Sequence, residues 1–132
     1  MIDKHSRKIN YLRVSVTDLC NLRCVYCMPA GGSELSDRDE ILSFEEILKI
    51  IKHGVSLGLN KIRLTGGEPL VRRDITSFIK QISDIEGIND IALTTNGINL
   101  KEHADALKKS GLSRLNISLD TMRADRFSDI TR

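Results

Sequence analysis

Four short segments of this chain alternate apolar and polar residues, and each is followed by a loop and a run with helical spacing. In "YLRVSVT", Leu12, Val14 and Val16 oppose Tyr11, Arg13, Ser15 and Thr17. In "KIRLT", Ile62 and Leu64 oppose Lys61, Arg63 and Thr65. "IALTTN" sets Ile91 and Leu93 against Ala92, Thr94 and Asn96, and "LNISLD" sets Leu115, Ile117 and Leu119 against Asn116, Ser118 and Asp120. A period of two is the signature of a strand with two unlike faces. Strands separated by helices need crossover connections, so they pair in parallel, with right-handed crossovers and the helices on one face. A strand buried between two helical layers would be apolar on both faces. A closed eight-stranded barrel would fill its interior with branched apolar side chains. The polar face shared by all four segments predicts instead an incomplete or widened α/β barrel that holds a polar ligand. A sheet with one wet face is the alternative, and the intervening helices argue against it.

The helical runs carry the complementary pattern. "SFEEILKIIKHGVSLG" places Phe44, Ile47, Leu48, Ile51 and Val55 on one stripe, with Ser43 and Glu46 as a capping box. "DITSFIKQISDI" groups Ile75, Phe78, Ile79 and Ile82, with Asp74 as candidate N-cap. Asn99 and Glu102 flank the start of "LKEHADALKKSG", which Gly111 ends, and "MRADRFSDI" begins a fourth helix. The polar stretch "AGGSELSDRDE" separates the first strand's loop from the first helix. The final "FSDITR" stops after one or two helical turns without a cap signal, and four strands cannot close a barrel. Residues 1–132 are therefore expected to be the N-terminal part of a longer core domain.

Charge excludes some partners. The formal net charge is +2, with basic and acidic residues mixed along the chain, which disfavours nucleic acid or a membrane surface. No run of 18 apolar residues exists, and "MIDKHSRKIN" lacks the apolar stretch of a secretory signal. A cytoplasmic, reducing setting is expected, with the cysteines serving metal or redox chemistry.

All three cysteines lie within "TDLCNLRCVYCMP", as C-x3-C-x2-C at Cys20, Cys24 and Cys27. That is the C-terminal end of the first strand, where α/β proteins build their sites. A structural zinc ion wants four ligands. His5, His53 and His103 are the candidates for a fourth, and none has ligand spacing to the cysteines. An iron–sulfur cube held by three thiolates is the other possibility; it leaves one iron free to chelate a small molecule.

The C-x3-C-x2-C run with an aromatic residue before the last cysteine resembles the radical S-adenosylmethionine (SAM) enzymes. "GGEP" at Gly66–Pro69, after the second strand, is a second and independent resemblance. Within that family, "YLRVSVTDLCNLRCVYCMP", "IRLTGGEPLVRRD", "LTTNG" and "LNISLD" are similar, in order and spacing, to the GTP 3′,8-cyclases of molybdenum cofactor biosynthesis. Leu19 stands where Arg is common and Leu22 where Phe is common; neither change removes a ligand. The resemblance implies a partial TIM-like barrel of about four parallel strands with helices on the outer face. It implies a [4Fe–4S] cluster on Cys20, Cys24 and Cys27, and SAM held by Tyr26, Gly67 and Ser118. GTP would be contacted by Arg13, Arg63 and Thr94. Glu68 and Asn96 would support the SAM site, while Arg72 and Arg73 are expected on the surface near a helix start. The implied chemistry is abstraction of the ribose C3′ hydrogen by a 5′-deoxyadenosyl radical, then attack on guanine C8. A second [4Fe–4S] cluster is expected only in the full-length protein, together with a reductant protein such as flavodoxin and a downstream cyclic pyranopterin monophosphate synthase. A peptide-modifying radical SAM maturase and a small zinc-binding module are the competing readings.

Overall fold

In a computed structural model that describes residues 2–32, 36–37 and 40–132, four parallel strands lie in the order β1-β2-β3-β4. These are β1 (Tyr11–Ser15), β2 (Lys61–Thr65), β3 (Asp90–Thr95) and β4 (Arg114–Ile117). Between them run α1 (Phe44–Ser56), a 3₁₀ turn (Pro69–Val71) with α2 (Ile75–Ser83), and α3 (Leu100–Lys109); α4 (Ala124–Thr131) follows β4. Residues 33–35 and 38–39 of the expected polar stretch lie outside the described residues.

The alternation read from the sequence is the register of the sheet. Leu12 pairs with Ile62 and Val14 with Leu64, while Ile62 pairs with Ile91 and Leu64 with Leu93. The apolar sides of β1 to β3 therefore stack in rows, and α1 to α3 cover them. Ile47 and Ile51 of α1, the four stripe residues of α2, and Leu107 of α3 are all buried in that core. Phe44 stacks on Phe78 with ring centroids 4.1 Å apart, which adds a specific aromatic contact to the area buried.

The expected capping box forms in full: Ser43 Oγ accepts from the Glu46 amide and the Glu46 carboxylate accepts from the Ser43 amide. The other two caps differ from expectation. Asp74 precedes α2 but sits in the left-handed region at φ 61°, and its carboxylate turns to Arg73 at 3.6 Å. Asn99 makes no side-chain cap either. Those helices are held by packing more than by their ends.

Arg72 also departs from expectation. Its guanidinium donates to the carbonyls of Val16 and Leu42 and lies 4.0 Å over the Phe44 ring. It ties the end of β1 to the start of α1. Arg73 is exposed, as expected.

One part of the sheet is not covered in the same way. Leu115, Ile117 and Leu119, the apolar side of the β4 segment, are 38%, 54% and 50% exposed. α4 does not lie over them: its last carbonyls turn to the cysteine loop at the C-terminal rim, where Ile130 and Thr131 accept from the amides of Val25 and Arg23.

Candidate functional site

The C-terminal rim of the sheet holds a cavity of about 200 Å³. The cysteine loop after β1, Gly66–Glu68 after β2, Thr94–Asn96 at the end of β3, Ser118 and Asp120 after β4, and Phe127 and Thr131 of α4 all face it. Eight of the site residues expected from the sequence thus meet in one place: Cys20, Cys24, Cys27, Tyr26, Gly67, Glu68, Asn96 and Ser118. Thr94 lines the cavity as well, whereas Arg13 and Arg63 lie lower on the polar face.

The loop is built by backbone constraints. The amides of Cys27 and Met28 both turn back to the Cys24 carbonyl, at 2.9 and 3.2 Å. Arg23, between the first two cysteines, donates to the carbonyls of Cys20 and Leu22. The glycines of "GGEP" fit against this loop. Gly67 donates its amide to the Thr17 carbonyl at 2.7 Å, and Glu68 donates to Leu19 at 2.8 Å. A Cβ at Gly67 would stand 2.2 Å from the Leu19 oxygen, and one at Gly66 would stand 2.5 Å from the Thr17 oxygen. Their bareness serves the approach of one loop to the other, before any ligand is considered.

Glu68 is only 1% exposed, yet its carboxylate is fully engaged. It accepts from the Leu70 amide at 3.0 Å, from Thr95 Oγ1 at 2.8 Å and from the Asn96 amide at 2.7 Å. Asn96 then donates its side-chain amide to Asn21 Oδ1 at 2.8 Å. One buried carboxylate therefore links the ends of β2 and β3 and, through Asn96, the cysteine loop. Buried charge is tolerated when its acceptor sites are filled in this way.

On the cavity wall, Tyr26 Oη donates to Asp120 Oδ2 at 2.7 Å. That hydrogen bond, followed by burial and by Cys24, raises the phenol above its usual range and keeps it a donor. Burial, followed by the charges of Cys24 and Cys20, raises the Cys27 thiol.

The donor set of three thiols around one cavity is one that a cluster could use. A tetrahedral zinc draws its thiolates to within about 4 Å of one another, given bonds of ~2.3 Å. Among the described residues no three His, Cys, Asp or Glu side chains converge in that way, and His5, His53 and His103 do not line the cavity. In a cube each thiolate binds its own iron, and three cysteines lining one cavity supply thiolates for three of them.

Further from the rim, Arg13 and Arg63 are register partners on β1 and β2. Arg63 donates to Tyr11 Oη at 2.5 Å and to Thr94 Oγ1 at 3.2 Å. Among the described residues neither Arg has a carboxylate partner, whereas Arg114 on the same face is paired with Asp90. Two guanidiniums on register partners without a counter-ion present donors that an anion could accept from.

The sequence profile of the radical SAM superfamily matches residues 14–132. The chain belongs to the radical SAM superfamily. Membership implies a [4Fe–4S] cluster and SAM as the general chemistry of this radical SAM chain, and among the described residues no helix is long and apolar enough to cross a membrane. All 132 residues align, at 58% identity, with the GTP 3′,8-cyclase of Alkaliphilus oremlandii and with that of Clostridium botulinum strain Hall, and at 53% with that of Petrotoga mobilis. The chain spans 41% of the length of each. Among solved structures it resembles Streptococcus suis SuiB bound to its precursor peptide SuiA, at TM-score 0.74 and 22% identity, over 92% of this chain and 26% of that one. It also resembles BtrN in complex with AdoMet and 2-DOIA, at TM-score 0.65 and 18% identity, over 94% and 51% of the two chains. At that identity the two structures bear on the fold alone.

Alternation in "LNISLD" puts Asp120 on the same side as Ser118, but its bond to Tyr26 spans 94 positions and has no local signal. Nor does any local pattern mark Phe127 and Thr131 as cavity residues, or Asn21 as the partner of Asn96.

Proposed function

We propose that this chain is the N-terminal, cluster-binding and SAM-binding part of a GTP 3′,8-cyclase of molybdenum cofactor biosynthesis. Likeness over the whole chain to proteins of that name supports the reading. The observation that carries it is the Arg13–Arg63 pair, set beside the cavity with no carboxylate to neutralise it.

Cys20, Cys24 and Cys27 would hold the cluster, and Tyr26, Gly67 and Ser118 would bind SAM. When bound, the cluster supplies the electron that cleaves SAM reductively and so gives access to radical chemistry. The chain's own residues do the rest by position. The Glu68 network fixes the loops around the cavity, which keeps the reacting groups aligned. Arg13 and Arg63 offer forked donors for phosphate or purine acceptors, and Thr94 Oγ1 orients Arg63. The acidic rim and the basic face below it are separate, which suits two ligands of opposite charge.

The full-length protein would carry a second [4Fe–4S] cluster, act in the cytoplasm, take electrons from a protein such as flavodoxin, and pass its product to cyclic pyranopterin monophosphate synthase. Arg63→Ala in the full-length protein tests the substrate. GTP affinity measured by equilibrium dialysis should fall about tenfold or more, the loss expected for charge-assisted hydrogen bonds. 5′-Deoxyadenosine formation with a chemical reductant should persist. Unchanged GTP affinity would remove Arg63 from the substrate site.

A further inference from the structure

The charged groups that line the cavity are all acidic or thiol: Glu68, Asp120 and the three cysteines, with no Lys, Arg or His among the described lining residues. The two carboxylates are not equivalent. Glu68 is buried and accepts from three donors, so its charge is dispersed into the loops it joins. Asp120 is exposed at the cavity wall, and its one hydrogen bond is to the neutral Tyr26 phenol at 2.7 Å. It has no ion-pair partner among the described residues, although Arg123 lies three positions on and is paired to Asp125 instead. An unpaired carboxylate in a partly closed, acidic cavity favours a cationic ligand.

We propose that Asp120 is the specificity-determining residue of the SAM site: its carboxylate favours the positively charged sulfonium over a neutral thioether, while its bond to Tyr26 ties the cysteine loop to the segment after β4. This rests on the reading of the cavity as a SAM site. It adds a role that the cysteines and glycines do not supply, because the thiols would hold the cluster and Gly67, whose amide is given to the Thr17 carbonyl, carries no charge. The two tasks of Asp120 are separable. Asp120→Asn keeps an oxygen to accept from Tyr26 and removes the charge. Tyr26→Phe keeps the charge and removes the bond.

The test uses full-length, cluster-loaded, unreduced protein, so that nothing is cleaved. Calorimetry gives the affinities for SAM and for S-adenosylhomocysteine, which lacks the sulfonium charge. Asp120→Asn should weaken SAM binding about fivefold, the size expected of a partly exposed charge pair, and change S-adenosylhomocysteine less than twofold. Tyr26→Phe should weaken both ligands together and leave their ratio unchanged. An equal loss for both ligands in Asp120→Asn, or no loss, overturns the proposal. Asp120→Ser should repeat the Asp120→Asn result; if neither variant takes up the cluster, Asp120 is a structural residue of the loop and the proposal fails. Wild-type protein that binds neither ligand would instead sink the functional reading itself.

Discussion

Gly67→Ala separates two reasons for a bare backbone at the "GGEP" turn. If the glycine is there to admit a ligand, adding a methyl group should block SAM and leave the protein otherwise intact. The structure points elsewhere. The new Cβ would fall 2.2 Å from the Leu19 oxygen, 2.6 Å from its carbonyl carbon and 2.7 Å from the Asp18 oxygen. All three are backbone atoms, so no side chain can swing aside. Relief requires the cysteine loop to move, which breaks the bonds from Gly67 to Thr17 and from Glu68 to Leu19. Two backbone hydrogen bonds lost, at about 1 kcal/mol each, plus overlap of about 1–3 kcal/mol, give a cost of roughly 3–5 kcal/mol. That is a large share of the ~5–15 kcal/mol by which a domain is stable. Denaturant unfolding of the cluster-free full-length protein reads the stability, and iron content after anaerobic reconstitution reads the loop. The expected result is a lowered midpoint and poor cluster uptake, with loss of SAM binding as a consequence. Wild-type stability and full cluster uptake, with only SAM affinity lost, would refute this reasoning.

Two further outcomes follow from other contacts. Arg72→Ala should cost about 2 kcal/mol, read by thermal unfolding, because it removes charged donors to two carbonyls and the stack on Phe44; Arg72→Lys should recover little of it, since one ammonium cannot span both carbonyls. The capping box should leave a signature in acid: the Ser43 amide and side chain hold the Glu46 carboxyl below its ordinary value of 4.5, so its contribution is complete above that pH and is lost as pH falls through the lower folded value. Glu46→Gln should accordingly flatten the pH dependence of stability in that acidic window.

The sheet was legible because its information is local. Alternation fixed which side of each strand faces the helices, and parallel pairing follows once helices intervene. The cysteine loop and "GGEP" were legible as motifs, and the face they share with Arg13, Arg63 and Thr94 could be read from parity. What could not be read is every interaction that depends on where distant loops meet. Glu68 is read from the sequence as a support of the SAM site, but its burial and its donors Thr95 and Asn96 on the next strand have no local signal. Arg72 sits beside a similar arginine, and only the fold decides that one clamps β1 while the other meets water. The bareness of Gly67 is visible in sequence, but its cause is a carbonyl 48 positions earlier. Asp74 and Asn99 are good capping residues by type, and their side chains nevertheless do not cap.

The contact between α4 and the cysteine loop has a consequence for the order of events in the cell. The amides of Arg23 and Val25 are satisfied by the carbonyls of Thr131 and Ile130, more than a hundred residues later in synthesis. Chains emerge from the ribosome N-terminus first, at about 5–20 residues per second. The three thiols are thus made early and wait some seconds before the helix that pins their loop exists. Through that interval the loop has its own turn and its bonds to Gly67, Glu68 and Asn96, but not the two carbonyls that α4 brings. A cluster on those thiols would find these two contacts of its loop in place only after α4 has formed.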